Sequence, residues 1–314
     1  MRRVQPRRSL VTVGHGHDHG AGAAGRRLWV ALAIVAVFLV VEVVGAVVSG
    51  SLTLLADAGH MASDVIGLGI ALVASGVAAR PATDRSTFGF RRAEVLGALL
   101  NGLLLAAIAV TVAVQGVSRL ATGIHDVVPL PMLVVAVLGL GANIAALGVL
   151  HGARGRTINL RAAYLEVVGD LVGSAAAVVA ALVILVTGFG PVDAIASLLV
   201  AALLVPRAFT LLRDVMSVLS ESAPSGTDIA AIREHICATD GVVDVHDVHV
   251  WAITHGSPVF TAHVVVEQEV FDGGHTDRLL DELADCLSGH FDVAHSTFQL
   301  EPAGHAEHED HGHA

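Results

Sequence analysis

Residues 56–64 read Ala-Asp-Ala-Gly-His-Met-Ala-Ser-Asp and lie inside an apolar run from about residue 52 to 79. A run of that length crosses a bilayer as a helix, and an ionisable side chain within it is costly and usually functional. His60 and Asp64 are four residues apart, so a helix stacks them on one face. One face offers an ion two ligands and cannot surround it. The matching half is the stretch 164–173, Tyr-Leu-Glu-Val-Val-Gly-Asp-Leu-Val-Gly, where Glu166 and Asp170 repeat the spacing. In both stretches small residues run one position ahead of the ligand stripe: Gly59, Ser63 and Gly67 in the first, Gly169 and Gly173 in the second. They predict that the two helices approach closely along this seam, as four side chains must if they are to reach one ion at about 2 Å. At about 1.5 Å per residue, His60 lies about 12 Å from the outer end of its helix and Asp170 about 27 Å from the outer end of its own, so the helices must be offset or inclined.

Six apolar runs occur, at about 28–48, 52–79, 94–118, 130–150, 160–187 and 191–212. With 54% hydrophobic and 15% charged residues, the 314-residue chain is too apolar for a water-soluble globule. An all-α membrane domain of six transmembrane helices is expected over residues 28–213. Arginines gather in alternate connections: Arg26 and Arg27 before span 1, Arg80, Arg85, Arg91 and Arg92 between spans 2 and 3, and Arg154, Arg156 and Arg161 between spans 4 and 5. The positive-inside rule then places both termini in the cytoplasm of a multi-pass cell-membrane protein. A formal charge of -11 disfavours nucleic acid as a partner. Cys237 and Cys286 have neither metal-type nor disulfide-framework spacing.

Residues 220–301 change character. A helix over about 227–238, strands over 242–253 and 260–266, a second helix with Leu279, Leu283 and Leu287 on its buried face, and a strand over 297–300 give the order αββαβ. This predicts a small two-layer α+β domain with both helices on one face of a three-stranded sheet. His246, His249, His255, His263, His275, His290 and His295 crowd this segment, and either a metal site or solvent-exposed histidines would account for them. The low-complexity, His-rich tails, 1–27 and 302–314, cannot bury a core and are expected to be disordered, weak collectors of metal.

A lone His60/Asp64 pair would also suit a buried hydrogen-bonded contact. The second pair favours a divalent cation, because four ionisable groups in hydrocarbon need a charge to neutralise them. Glu42, Asp57, Asn101, Asn143 and Asp193 are further polar residues within the spans. Asp57 precedes His60 by three and either stands behind the ligands or on the ion's way in, or is solvated at a helix end. Asn101 is grouped with it as a supporting or entry residue. Asp193, just after Pro191, reads as an acid at the N-terminus of its own helix. Two other classes compete: a membrane sensor or store that binds metal without moving it, and an intramembrane metalloenzyme, against which the missing His-Glu-x-x-His motif argues.

Four motifs carry a resemblance: Ser-Leu-Thr-Leu-Leu-Ala-Asp-Ala-Gly-His-Met-Ala-Ser-Asp (51–64), Phe-Gly-Phe-Arg-Arg-Ala-Glu-Val-Leu-Gly-Ala-Leu-Leu-Asn-Gly (88–102), Tyr-Leu-Glu-Val-Val-Gly-Asp-Leu-Val-Gly-Ser (164–174) and Val-His-Asp-Val-His-Val-Trp (245–251). From about Leu28 to Glu301 the chain resembles the cation diffusion facilitators, which export zinc, cadmium and cobalt. The resemblance implies a homodimeric, proton-coupled exporter with a transport site between helices 2 and 5 and a ferredoxin-like cytoplasmic domain. It puts His60, Asp64 and Asp170 on transport ligands, and Glu166 where zinc-transporting members usually carry histidine. It also puts His246, His263 and Glu301 on cytoplasmic zinc ligands, with His275 and His295 as further candidates. An extra carboxylate in place of an imidazole makes the transport site harder, so Mn2+ or Fe2+ should be excluded less well than by two histidines.

Overall fold

Each apolar run forms one helix: α1 (His19–Ser49), α2 (Leu52–Ala78), α3 (Arg92–Thr122), α4 (Pro129–His151), α5 (Ile158–Thr187) and α6 (Pro191–Leu219). The structure is a computed structural model that describes residues 19–123, 126–151, 158–254, 256–291, 293 and 295–304. In lipid the backbone of such runs has no hydrogen-bond partner but itself, which imposes the helix. α2 to α6 are each long and apolar enough to cross a membrane, and the described apolar part of α1, Ala33–Ser49, is shorter. α1 begins at His19, inside the stretch expected to be disordered. Residues 1–18 and 305–314 of the His-rich tails, the 152–157 connection with Arg154 and Arg156, and His255 lie outside the described residues.

The chain forms two compact units. The first contains α1, α2 through Met61, α3 from Gln115, α4, α5, and α6 through Ser197. Its core is rich in alanine, with Ala46, Leu54, Met132, Ala136, Ala177, Ala180 and Ala181 buried together. Helices in lipid gain little from the hydrophobic effect, so close backbone approach supplies the attraction. A Cβ on Gly45 would fall 2.5 Å from Val135, and one on Gly139 would fall 2.5 Å from Phe38, so α1 and α4 interlock through glycine gaps.

The turn between α1 and α2 is recessed, with Ser49, Ser51, Leu52, Thr53 and Leu54 buried. Gly50 makes the turn at φ +67°, a conformation open to glycine at no steric cost. The start of α2 therefore cannot take water on its free N–H groups, and Asp193 supplies the acceptor. Its carboxylate receives the Leu52 N–H at 2.8 Å, the Thr53 N–H at 3.1 Å and the Ser51 hydroxyl at 2.6 Å. Arg119 Nη1 stands 3.6 Å away and donates to the Gly50 carbonyl at 2.8 Å. Asp193 lies in the first turn of α6, as the sequence indicated, but its bonds cap α2. The buried helix start has the greater need of a negative charge.

The second unit contains α2 from Ala62, α3 through Val114, α6 from Leu198 and the C-terminal domain. In that domain α7 (Ile229–Cys237), β1 (Val242–Ala252), β2 (Pro258–Val266), the short α8 (Gln268–Asp272), α9 (Thr276–Phe291) and β3 (His295–Pro302) follow in order. This is the expected αββαβ pattern with α8 added. Asp228 caps α7 by accepting the Ala231 N–H at 3.0 Å. β1 pairs antiparallel with β2, and β2 pairs parallel with β3. Phe260, Ala262, Val264 and Val266 turn one face of β2 toward Ile232, Ile236, Leu279, Leu283 and Leu287, which form the domain core. Thr261, His263 and Val265 alternate onto the opposite face.

Replacing Asp193 by Ala strips the α2 cap, leaves two buried N–H groups unsatisfied and takes the nearby carboxylate from Arg119, at a cost of about 2 kcal/mol. Thermal unfolding in detergent should rank wild type above Asp193→Asn and that above Asp193→Ala; equal midpoints for all three would show that the cap adds nothing.

Candidate metal sites

In the first unit His60 of α2 meets Glu166 and Asp170 of α5. The His60 Nε2 lies 3.6 Å from Glu166 Oε1 and 3.5 Å from Asp170 Oδ1. One ligand atom from each of the three residues lies within 4.8 Å of the other two. Around a tetrahedral zinc with bonds of about 2.0–2.1 Å, ligand atoms stand about 3.4 Å apart, so both separations match one edge of such a polyhedron. His60 and Asp170 are buried, whereas the Glu166 side chain keeps 35% of its surface open. The i, i+4 spacing on α5 puts both carboxylates over one imidazole. Asp64 is one turn beyond His60 on α2, half-buried, in the second unit.

α2 and α5 approach closely at Gly173, where an added Cβ would come 2.5 Å from Asp57 Oδ1. Asp57 is five residues from the start of α2, about 7.5 Å along it, and Gly173 is fourteen from the end of α5, about 21 Å. The helices are thus offset by over 10 Å, as the recessed start of α2 requires. The small residues do not all serve this seam. A Cβ on Gly169 meets nothing within 4 Å, and one on Gly67 would fall 2.4 Å from Asn101 of α3. Ser63 Oγ also donates to Asn101 Oδ1, at 3.5 Å. The small-residue stripe of α2 is one position, about 100°, around the helix from the ligand stripe, and at Ser63 and Gly67 it faces α3. Asn101 is therefore a packing partner of α2 in the second unit. Asp57 is fully buried and accepts from the Ser174 hydroxyl at 3.3 Å, so it is not solvated at a helix end.

The second cluster lies on the helix-free face of the C-terminal sheet. His246 faces His263 across the β1/β2 ladder, with ring centroids 5.2 Å apart. Glu301 is diagonal to His263 on β3, since His263 pairs with Gln299 and Val265 with Glu301. The buried Glu301 carboxylate is 3.3 Å from His246 Nε2 and 2.8 Å from His263 Nδ1. Two neighbours escaped the sequence reading. Gln299 Nε2 donates to Glu301 Oε1 at 2.7 Å, and only strand alternation, Gln299 then Glu301, hinted at it. Asp247, at φ +48° where the β1/β2 register shifts, sits 3.8 Å from His263 Nε2 and 3.0 Å from His249 Nε2. A bulge of this kind re-aims side chains.

His275 and His295 lie outside this cluster. The parallel register places His295 opposite Val259, six residues or about 20 Å along β3 from Glu301, where it stacks edge-on against Phe88. His275 follows α8, packed on Gly273 among Glu267, Glu269 and Asp272. Of the two free cysteines, Cys237 is exposed and Cys286 is half-buried, and burial pushes the Cys286 thiol up, away from the thiolate that binds metal.

A bundle of apolar helices with an imidazole and two carboxylates converging inside it, followed by an α+β domain, defines a multi-pass membrane protein built to handle cations. Residues 28–220 match the cation efflux transmembrane domain, and residues 224–303 match the cytoplasmic domain of cation efflux proteins. The chain is 39% identical over 290 residues to the metal cation efflux system protein CzcD of Cupriavidus metallidurans, covering 92% of this chain and 90% of that one. It is 40% identical over 299 residues to the zinc transporter ZitB of Escherichia coli, covering 91% and 92%. It is 32% identical over 292 residues to a cadmium, cobalt and zinc/H(+)-K(+) antiporter of Bacillus subtilis, covering 92% and 93%. The chain belongs to the cation efflux family: it is a membrane transporter and not an enzyme.

Proposed function

We propose that this protein exports a divalent transition metal, zinc foremost, from the cytoplasm across the cell membrane in exchange for protons, and that His60, Asp64, Glu166 and Asp170 hold the ion in transit. The observation that carries the reading is the meeting of His60 with Glu166 and Asp170 inside an apolar helical unit, at the spacing of ligands around one small cation. What supports Asp64 as the fourth ligand is its i, i+4 spacing from His60 on α2. The relatives' names support zinc, with cadmium and cobalt beside it, and the Bacillus relative's name supports exchange against protons. Metal binds deprotonated ligands. Three carboxylates around one imidazole exceed the charge of a divalent ion by one, and the empty site takes up protons when the ion leaves. Rocking of the helices then exposes the site to either side in turn.

Residues 28–213 form the membrane domain on this reading and residues 220–301 the cytoplasmic one, and the arginine-bearing connections support cytoplasmic termini. His246, His263 and Glu301 hold a structural or sensory zinc there. The C-terminal match, to a family named for dimerisation, supports a homodimer. The tails, 1–27 and 302–314, collect metal weakly.

Proteoliposomes with an imposed pH gradient test transport. Wild type should accumulate zinc, and Asp170→Ala should abolish this while leaving expression intact; near-wild-type flux in the variant removes Asp170 from the site. In equilibrium dialysis, Glu301→Ala should lower bound zinc by about one ion per protomer and leave flux detectable, and unchanged stoichiometry would leave the cytoplasmic histidines without a metal role. Glu166→His should retain zinc transport and reduce any manganese or iron transport, since it replaces an oxygen ligand by nitrogen. An unaltered ion profile would mean that Glu166 does not contact the ion.

A further inference from the structure

The metal cluster leaves a second polar group of the first unit unused. Glu42 of α1, Asp57 of α2, Asn143 of α4 and Ser174 of α5 are all fully buried. Asn143 Nδ2 donates to Ser174 Oγ at 3.1 Å, the Ser174 hydroxyl donates to Asp57 Oδ2 at 3.3 Å, and the Glu42 carboxyl lies within hydrogen-bonding reach of Asp57. Glu42 Oε2 and Asn143 Oδ1 are buried acceptors with no hydrogen-bond partner among the described residues. The group is therefore short of hydrogens. Ionised carboxylates only accept, so Glu42 and Asp57 can bond to each other only if one carries a proton. With both ionised, two like charges would touch in a membrane interior. The Asp57 carboxylate is packed against α5 at Gly173, where a Cβ would fall 2.5 Å from its Oδ1. The other ionisable groups facing the pair are Asp170 of α5 and, one turn on from Asp57, His60 of α2.

We propose that Glu42 and Asp57 form a proton-binding site separate from the metal ligands, sharing one proton when the metal cluster is empty and giving it up when the cluster is filled. The pair's one O–H bond breaks, the proton leaves to water as H+, and the oxygen that carried it keeps the electron pair while the incoming dication supplies the compensating charge. This inference rests on the metal-transport reading and adds a proton site to it.

Zinc titration of the full chain in detergent from roughly pH 6 to pH 8 tests the inference, because the slope of log Kd against pH counts the protons released. Glu42→Gln keeps the shape of the group and removes its exchangeable proton. It should still bind zinc, with a slope shallower than wild type by about one, a tenfold smaller change in Kd per pH unit. Infrared difference spectra of the wild type should lose a protonated-carboxyl band on zinc addition, and Glu42→Gln should lack that loss. A wild type with no such band, or a Glu42→Gln variant with an unchanged slope, overturns the proton site. If Glu42→Gln does not fold, Asp57→Asn and the wild-type spectrum decide. Failure of the wild type to bind zinc at any pH would instead overturn the metal-transport reading.

Discussion

A carboxylate that cannot reach water must be given positive charge, hydrogen-bond donors or a proton, and the helical part of this protein meets that demand in three ways. Asp193 receives the N-terminus of α2, a hydroxyl and the nearby Arg119 guanidinium. These are permanent parts of the chain, so Asp193 is a fixed strut. The buried Asp170 faces the imidazole of His60, with the partly open Glu166 beside it, and on the reading proposed above an ion that comes and goes supplies their charge. Glu42 and Asp57 face each other and, on the reading proposed above, share a proton. A transporter needs the second and third kinds of neutralisation because only they can be reversed.

The same constraint orders the packing. Carboxylates buried from two sides require helices that nearly touch, and alanine and glycine supply that approach at Gly45, Gly139 and Gly173. The recessed start of α2 follows from it. A helix that presents Asp57 and His60 to the middle of α5 begins well short of the end of α5, and its buried start then needs its own cap. Asp193 and Arg119 are consequences of where His60 has to stand.

Much of this was readable from residue spacing and some was not. The i, i+4 spacing on α5 anticipated that Glu166 and Asp170 would face the same neighbour, because a helix fixes the relation of residues four apart wherever it lies. Apolar runs announced the six helices for the same local reason. What a helix face meets is not local. Ser63 and Gly67 were expected to serve the α5 seam and instead meet Asn101, and Asp193 was expected to serve its own helix and instead caps α2. Both depend on helix rotation and offset, which pattern alone leaves free. The cytoplasmic sheet shows the same limit in another form. His246, His263 and Glu301 converge through strand register and a bulge at Asp247, and the parallel alignment of β3 that joins Glu301 to His263 carries His295 away.

The two clusters differ in what an arriving ion must displace. In the sheet, Glu301 is engaged at hydrogen-bond distance by His263 at 2.8 Å and by Gln299 at 2.7 Å, so part of its hydrogen bonding is satisfied within the domain. Metal entering there has to break those contacts and reorient the side chains, and each lost hydrogen bond offsets about 1 kcal/mol of the binding energy. Among the helices, His60 stands 3.5 and 3.6 Å from its carboxylate partners, beyond the usual N–H···O distance and near the ligand spacing of a filled site. On the reading proposed above, the ligand atoms of the helical cluster already stand at the separation an ion imposes, whereas Glu301 of the sheet cluster is drawn into hydrogen bonds that an ion would replace.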